Sequence, residues 1–193
     1  MDAMTLSSGL SRPALPMTRA DLDAIPDDGY RRELIDGVLV VTPSPSWEHQ
    51  DVVLRLSALL LPLCPQDLTL VVAPYDVHLD DSSSLIPDLL VARRTDMTSR
   101  ALTCAPLLAV EVLSPSTRRF DLHTKRARYE AAGTPSYWVI DPIELTLTAW
   151  ELSIPEGAEG EQQYVEVAHV GGDEVFSARR PFAVDVVPAR LRH

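Results

Sequence analysis

At 193 residues, 46% of them hydrophobic and 23% charged, the chain can bury a full core and is too apolar to stay disordered. Its formal charge of −11 repels nucleic acid at long range, which counts against a high-affinity non-specific binder but leaves room for one local basic surface. No apolar run reaches the roughly 18 residues of a membrane span, Met1 to Pro16 lacks the pattern of a signal peptide, and Cys64 and Cys104 fit no metal or redox motif, so a cytoplasmic protein with reduced thiols and no membrane partner is expected.

Residues 1–17, a mix of Ser, Pro, Gly and small residues, read as a flexible N-terminal arm, and 18–193 as a single domain. Thr18-Arg19-Ala20-Asp21 has the pattern of a capped helix start. Asp36-Gly37 between two strand-like runs is a strong hairpin signal. From Trp47 to about Leu61, Val52, Val53, Leu56, Leu59, Leu60 and Leu63 recur at helical spacing, with Glu48, Asp51 and Arg55 on the other face. Thr69 to Ala73 reads as a buried strand, and Tyr75 to Asp80 alternates as a half-exposed one. Asp81 to Ser84 reads as a turn into a strand over Leu85 to Val91 that carries Asp88. A polar connection, Arg93 to Thr103, leads to the apolar run Leu107 to Leu113, in which Glu111 is the lone charge, broken by Pro115 and Ser116. Thr117 to Ala132 follows as a helix with a basic face, closed at Gly133. Strands are expected over Ser136 to Asp141, Leu145 to Trp150 and Gln163 to Ala168, an acidic loop over Pro155 to Glu161, and weak strands at Val175-Phe176 and Phe182 to Val187. The sum is a mixed α/β domain with a central sheet flanked by helices.

Burying Glu111 without a partner would cost several kcal/mol, so the cheapest explanations are a metal ion, a cation or a water-filled cleft beside it; the plainer readings are Glu111 as a salt-bridged core acid and Asp88, after Pro87, as a strand-end or turn acid. Asp88 and Glu111, brought together from two core strands, are oxygen ligands of the kind that hold Mg²⁺ or Mn²⁺ while leaving positions for water and substrate. Lys125, on the following helix, would supply the cation that phosphodiester hydrolysis needs near the attacking water and the developing charge. No Gly-rich phosphate loop, HExxH or Gly-x-Ser-x-Gly elbow occurs, which removes support for nucleotide kinases, zincins and α/β-hydrolases.

Pro87-Asp88 followed by Glu111-Val112-Leu113 resembles the PD-(D/E)xK nuclease signature. More specifically, Glu33 to Gly37, Ser46 to Gln50, Pro87 to Leu89 and Glu111 to Thr117 resemble, in order, a bacterial family of putative restriction endonucleases. Asp121, Lys125, Tyr129, Gly133 and Tyr137 to Pro142 extend the resemblance, which covers about Leu22 to Trp150. It implies a restriction-endonuclease-like fold and a Mg²⁺-dependent DNA endonuclease with Asp88 and Glu111 on the metal and Lys125 as the catalytic lysine. In the plain signature a lysine follows the second acid by two positions; Leu113 stands there, and the family pattern moves the lysine to the helix.

Four residues are accessory candidates. Glu33 either adds a metal-site oxygen or is a solvent-facing strand acid; His49 is more often a first-turn polar residue than a catalyst; Asp121 and Lys125 could be a plain surface ion pair; Tyr129 packs against or steadies Lys125. Arg93, Arg94, Arg118, Arg119, Arg126 and Arg128 are the positive residues nearest the site in sequence and candidates for phosphate contact, against the plainer reading of a solvated basic face. Trp47, Trp138 and Trp150 read as core or interface. DNA is the expected partner, with a homodimer a natural way to reach both strands. A catalytically inactive descendant used as a DNA- or protein-binding module is the competing class, and a hydrolase of another phosphate ester a third.

Overall fold

The computed structural model describes residues 15–114, 118–154 and 162–193, and within them the chain opens with helix α1 (Arg19–Asp23). The Thr18 hydroxyl accepts from the Asp21 N–H, and the Asp21 carboxylate accepts from the Thr18 N–H, so two otherwise orphaned donors are satisfied. Strands β1 (Arg31–Ile35) and β2 (Val38–Thr42) form the expected hairpin. Its corner, Asp36-Gly37, takes φ of 53° and 76°, the left-handed pair that matches the twist of the strands. Met17 N–H donates to Gly37 O at 2.9 Å, so this end of the expected arm is pinned to the hairpin, while residues 1–14 of it lie outside the described residues.

Helix α2 (Trp47–Leu60) buries Val52, Val53, Leu56 and Leu60. Trp47, expected in the core or an interface, is exposed because it sits at the first helical position, before the apolar stripe begins. Then come β3 (Leu68–Val72), β4 (Asp76–Asp80), β5 (Ser83–Leu85), β6 (Leu89–Arg93), β7 (Ala101–Leu102) and β8 (Leu108–Val112). A π-helical turn, Phe120–Lys125, runs into α3 (Arg126–Ala131), followed by β9 (Ser136–Asp141), β10 (Thr146–Ser153), β11 (Gln163–Gly171), β12 (Phe176–Ala178) and β13 (Val184–Val186). Among the described residues no helix is long and apolar enough to cross a membrane. The expected acidic loop 155–161 and the break at Pro115-Ser116 lie outside the described residues.

The expected central sheet divides in two. A six-stranded mixed sheet has the order β11-β10-β9-β8-β6-β3, a five-stranded one the order β2-β1-β5-β4-β7, and β12 and β13 pair separately. The run Leu85 to Val91 is therefore not one strand. Pro87 has no N–H to give a ladder, and the chain turns there from β5 in the smaller sheet to β6 in the larger, with Asp88 at the corner. Ser83 and Ser84, expected in the turn, are buried strand residues that pair with β4. Strand β3, expected buried, is only half-buried because it is an edge of the six-stranded sheet.

Side chains of the larger sheet alternate between two cores. Leu108, Val110 and Val112 of β8, with Trp138 and Ile140 of β9, pack on α2 and the C-terminal β12–β13 ribbon. Ala109 and Leu113, with Tyr137 and Val139, face the other way, toward Tyr129 of α3 and Ile35, Val77 and Leu85 of the smaller sheet. Strands β8 and β9 are parallel, which requires a crossover; the π turn and α3 supply it.

Candidate active site

Strand alternation decides where Glu111 points. In β8 it alternates with Ala109, and with Leu113 just past the strand's end, and so faces the α3 side, only 1% exposed. Asp88 reaches the same region from the corner between the sheets. Its Oδ2 accepts from the Val112 N–H at 2.8 Å and sits 3.0 Å from His49 Nε2, while Oδ1 faces Arg31 Nη1 at 3.2 Å. An ionised carboxylate only accepts, so His49 Nε2 is the donor in its pair.

Lys125 does not point to solvent. Its Nζ lies 2.9 Å from Glu33 Oε1, 3.1 Å from Glu111 Oε1 and 3.6 Å from Asp121 Oδ1. The π turn explains how a helix with exposed Arg118 and Arg119 buries these residues. A wider turn rotates later side chains backward as an α turn rotates them forward, so Asp121, Lys125 and Tyr129 stay on one inward line and are 1%, 3% and 0% exposed. The expected continuous α-helix would have been a plainer scaffold; π turns recur at functional sites because they re-aim side chains in this way.

Asp88, Glu111, Lys125, Glu33, His49 and Asp121 all line one cavity of about 210 Å³. Each of the three central candidates and three of the four accessory ones is thus brought together. Glu33 is not a solvent-facing acid: its Oε1 also accepts from the Ile86 N–H at 2.7 Å, and the residue is 1% exposed. His49 is both a first-turn residue, its N–H donating to Ser46 Oγ, and a partner of Asp88. Asp121 and Lys125 form a buried pair, not a surface one. Tyr129 packs, its ring 5.4 Å from that of Tyr137, and its hydroxyl makes no hydrogen bond among the described residues.

The six nominated arginines lie elsewhere. Arg93 and Arg119 are exposed outside the cavity, and Arg94 bonds Gln66 O. Arg118 pairs with Asp141, Arg128 with Asp36 at 2.8 Å, and Arg126 stacks 4.9 Å over the Trp150 ring. The arginine that does line the cavity, Arg31, was not nominated. Its signal was available: in β1 it shares a face with Glu33 by the two-residue period, whereas Arg32 faces away.

The electrostatics follow from four carboxylates against Arg31 and Lys125 in one buried space. Burial would raise the Asp88 pKa, but the His49 hydrogen bond and the charges of His49, Arg31 and Lys125 prevail and hold it at about 2. Glu111 is pushed well up, by burial first and by Asp121, Asp88 and Glu33 facing it, against the pull of Lys125. Burial alone would lower Lys125; Glu111, Glu33 and Asp121 outweigh it, and the ammonium keeps its proton. Among the described residues no three His, Cys, Asp or Glu side chains already converge as a metal-binding group, because the acids close on Lys125 and Arg31. The donor set nonetheless fits a hard divalent cation. It is all oxygen, it carries uncompensated negative charge, Glu33 Oε2 is buried without a hydrogen bond, and Mg²⁺ characteristically takes only one or two carboxylates and keeps its waters.

A search of curated proteins returned no match. Among solved structures the fold is similar to that of a protein described as a putative nuclease belonging to DUF820 from Anabaena variabilis ATCC 29413, with a TM-score of 0.69 and 18% identity over 91% of this chain and 97% of that one. At that identity the likeness is one of fold. Residues 19–187, nearly the whole described domain, match the model of the Uma2 family, whose description is "putative restriction endonuclease". The two-sheet α/β fold and the sequence thus lead to one assignment: the chain belongs to the Uma2 family of nuclease-like, restriction-endonuclease-related proteins.

Proposed function

We propose that the protein is a Mg²⁺- or Mn²⁺-dependent endonuclease that hydrolyses DNA phosphodiester bonds in the cavity between its two sheets. The observation that carries this reading is a buried Lys125 Nζ within 3.6 Å of carboxyl oxygens of Glu33, Glu111 and Asp121, with Asp88 lining the same cavity. Asp88 and Glu111 would hold the metal ion, with Glu33 as an additional oxygen. When bound, such an ion polarises phosphoryl oxygens and lowers the pKa of water.

The chain's own residues supply the rest. Lys125 donates hydrogen bonds to the attacking water or to a phosphoryl oxygen and stabilises charge as it develops there. It is not a base, since three carboxylates keep its proton in place. Asp121 holds the Lys125 ammonium from one turn earlier, and His49 fixes the Asp88 carboxylate through Oδ2. A homodimer would bring two such cavities to the two strands of a duplex.

Purified protein should nick plasmid DNA with Mg²⁺ or Mn²⁺ and not in EDTA, and Asp88→Ala or Lys125→Ala should each reduce the rate by at least about 100-fold, as loss of a preorganised electrostatic group does. Failure to bind either ion, together with an Asp88→Ala protein indistinguishable from wild type, would overturn the reading. The same assay on RNA and on small phosphate esters separates a nuclease for DNA from a hydrolase of another phosphate. One observation favours a non-catalytic binding module as the second reading: the acids are already closed on Lys125 and Arg31. That module would bind DNA or a protein with no metal requirement.

A further inference from the structure

Among the described residues, several of the buried polar atoms without a hydrogen bond lie at this one cavity, while Tyr129 Oη, Thr134 Oγ1 and Ser136 Oγ lie outside it. Arg31 Nε, Glu33 Oε2, Thr42 Oγ1 and His49 Nδ1 all belong to residues that line it. Buried polar groups are almost always satisfied, so such a cluster points to an ion, a ligand group or ordered water held there. It is mixed in kind. Glu33 Oε2 is an acceptor and calls for a cation, whereas Arg31 Nε can only donate and calls for an anion.

Arg31 stands between the two. Its Nη1 lies 3.2 Å from Asp88 Oδ1, its Nη2 donates to Ile86 O and lies 3.8 Å from Glu33 Oε2. Asp88 Oδ2 already accepts from His49 and Val112, so Oδ1, where the guanidinium sits, is the oxygen a metal ion would take. The Arg31 side chain is 21% exposed, whereas that of Lys125 is 4% exposed, so Arg31 is the cavity cation that can move toward solvent.

We propose that Arg31 is an exchange residue: it serves as the counter-ion of Asp88 in the metal-free protein, gives way to the divalent ion, and then binds a substrate phosphate. This rests on the nuclease reading above. A doubly charged ion on Asp88 and an arginine on the same oxygen exclude one another by repulsion and by space. The displaced guanidinium keeps its planar fork of donors, which suits bidentate binding of a phosphate. Metal and phosphate are then coupled through one side chain, each tightening the other by the same factor.

Two measurements on the full chain test this. The first is calorimetric titration with Mn²⁺ alone, on wild type, Arg31→Gln and Arg32→Gln; Arg32 pairs with Asp28 outside the cavity and controls for loss of one positive charge. Arg31→Gln should bind Mn²⁺ roughly 5- to 150-fold more tightly than wild type, the usual range of a coupling between sites, and Arg32→Gln should match wild type. The second is fluorescence anisotropy of a labelled DNA oligonucleotide with and without Ca²⁺, an ion with the same oxygen preference. Wild type should gain affinity with Ca²⁺, and Arg31→Gln should lose most of that gain. Tighter metal with weaker metal-coupled DNA binding is a pair of opposite shifts that a merely structural arginine would not produce. If Arg31→Gln does not fold, Arg31→Lys, whose shorter reach and single ammonium lose the fork, should show the same two shifts at smaller size. Mn²⁺ affinity unchanged or weaker in the arginine variants, with wild type binding the ion, overturns the exchange and leaves the nuclease reading standing. If wild type binds neither Mn²⁺ nor Mg²⁺, the exchange falls, and with an Asp88→Ala protein indistinguishable from wild type the nuclease reading falls too.

Discussion

Lys125 illustrates how a buried charge depends on its company. Three carboxylates hold its proton, and in return the ammonium is what makes their burial tolerable. Breaking a buried ionic cluster by removing one partner costs about 3–5 kcal/mol, because the opposing charge is left uncompensated. Lys125→Met should therefore lower the unfolding free energy by about that amount, measured by urea denaturation in EDTA. Glu111→Gln should behave in the opposite way. Burial and three facing acids already disfavour its charge, so the amide should leave metal-free stability within about 1 kcal/mol of wild type or raise it, while metal binding is lost. A Glu111→Gln protein as damaged as Lys125→Met would mean that the Glu111 charge is needed for folding and that the cavity is not under excess negative charge.

At the scale of elements, two turns hold the site's walls in place. Gly37 takes φ +76°, and a Cβ there would come within 2.5 Å of the Pro16 Cβ, backbone-anchored atoms that cannot step aside. Gly37→Ala should cost about 1–3 kcal/mol in thermal or urea unfolding, from left-handed strain and from the lost seat of the Pro16-Met17 segment. Asp141 closes β9: its Oδ1 accepts from the N–H groups of Ile143 and Glu144, and Arg118 pairs with Oδ2. Burial would raise its pKa, but Arg118 and the two backbone donors prevail and lower it below the usual 3.8. A carboxyl lowered in the folded state contributes stability that is present above pH 3.8 and lost as the pH falls through its folded value. Asp141→Asn should thus be less stable than wild type at pH 7, and the gap should close on acidification below pH 3.8; a gap that stays constant with pH would remove the ion pair from the explanation.

Over the whole molecule, the charge is −11, and of the arginines near the site in sequence Arg118 is paired with Asp141 and Arg128 with Asp36. DNA affinity should accordingly be weak and only shallowly salt-dependent. With one or two phosphates neutralised, log K should fall against log salt with a slope of about −1 to −2, whereas a basic face engaging six or more phosphates would give a slope beyond about −5. Anisotropy titrations between low and moderate salt distinguish the two. The steeper slope would bring Arg93, Arg94 and Arg119, all exposed, back into consideration as phosphate contacts.

Local pattern was enough to determine most elements of this protein, because each signal acts over a few residues. The Asp36-Gly37 hairpin, the α2 stripe and the buried strand carrying Glu111 follow from turn chemistry and periodicity, and an acid in an apolar strand demands a partner wherever it folds. The ordered acids and lysine were legible as a set for the same reason. Tertiary structure alone decided three things. It split the run around Pro87 between two sheets, so that Asp88 became a corner residue; it introduced a π turn that aimed Asp121 and Lys125 inward; and it placed Arg31, not the six arginines near the site in sequence, against Asp88. Each of these depends on which strand lies beside which, and that choice is made by the packing of two apolar cores whose residues are far apart in sequence, which no short stretch of sequence contains.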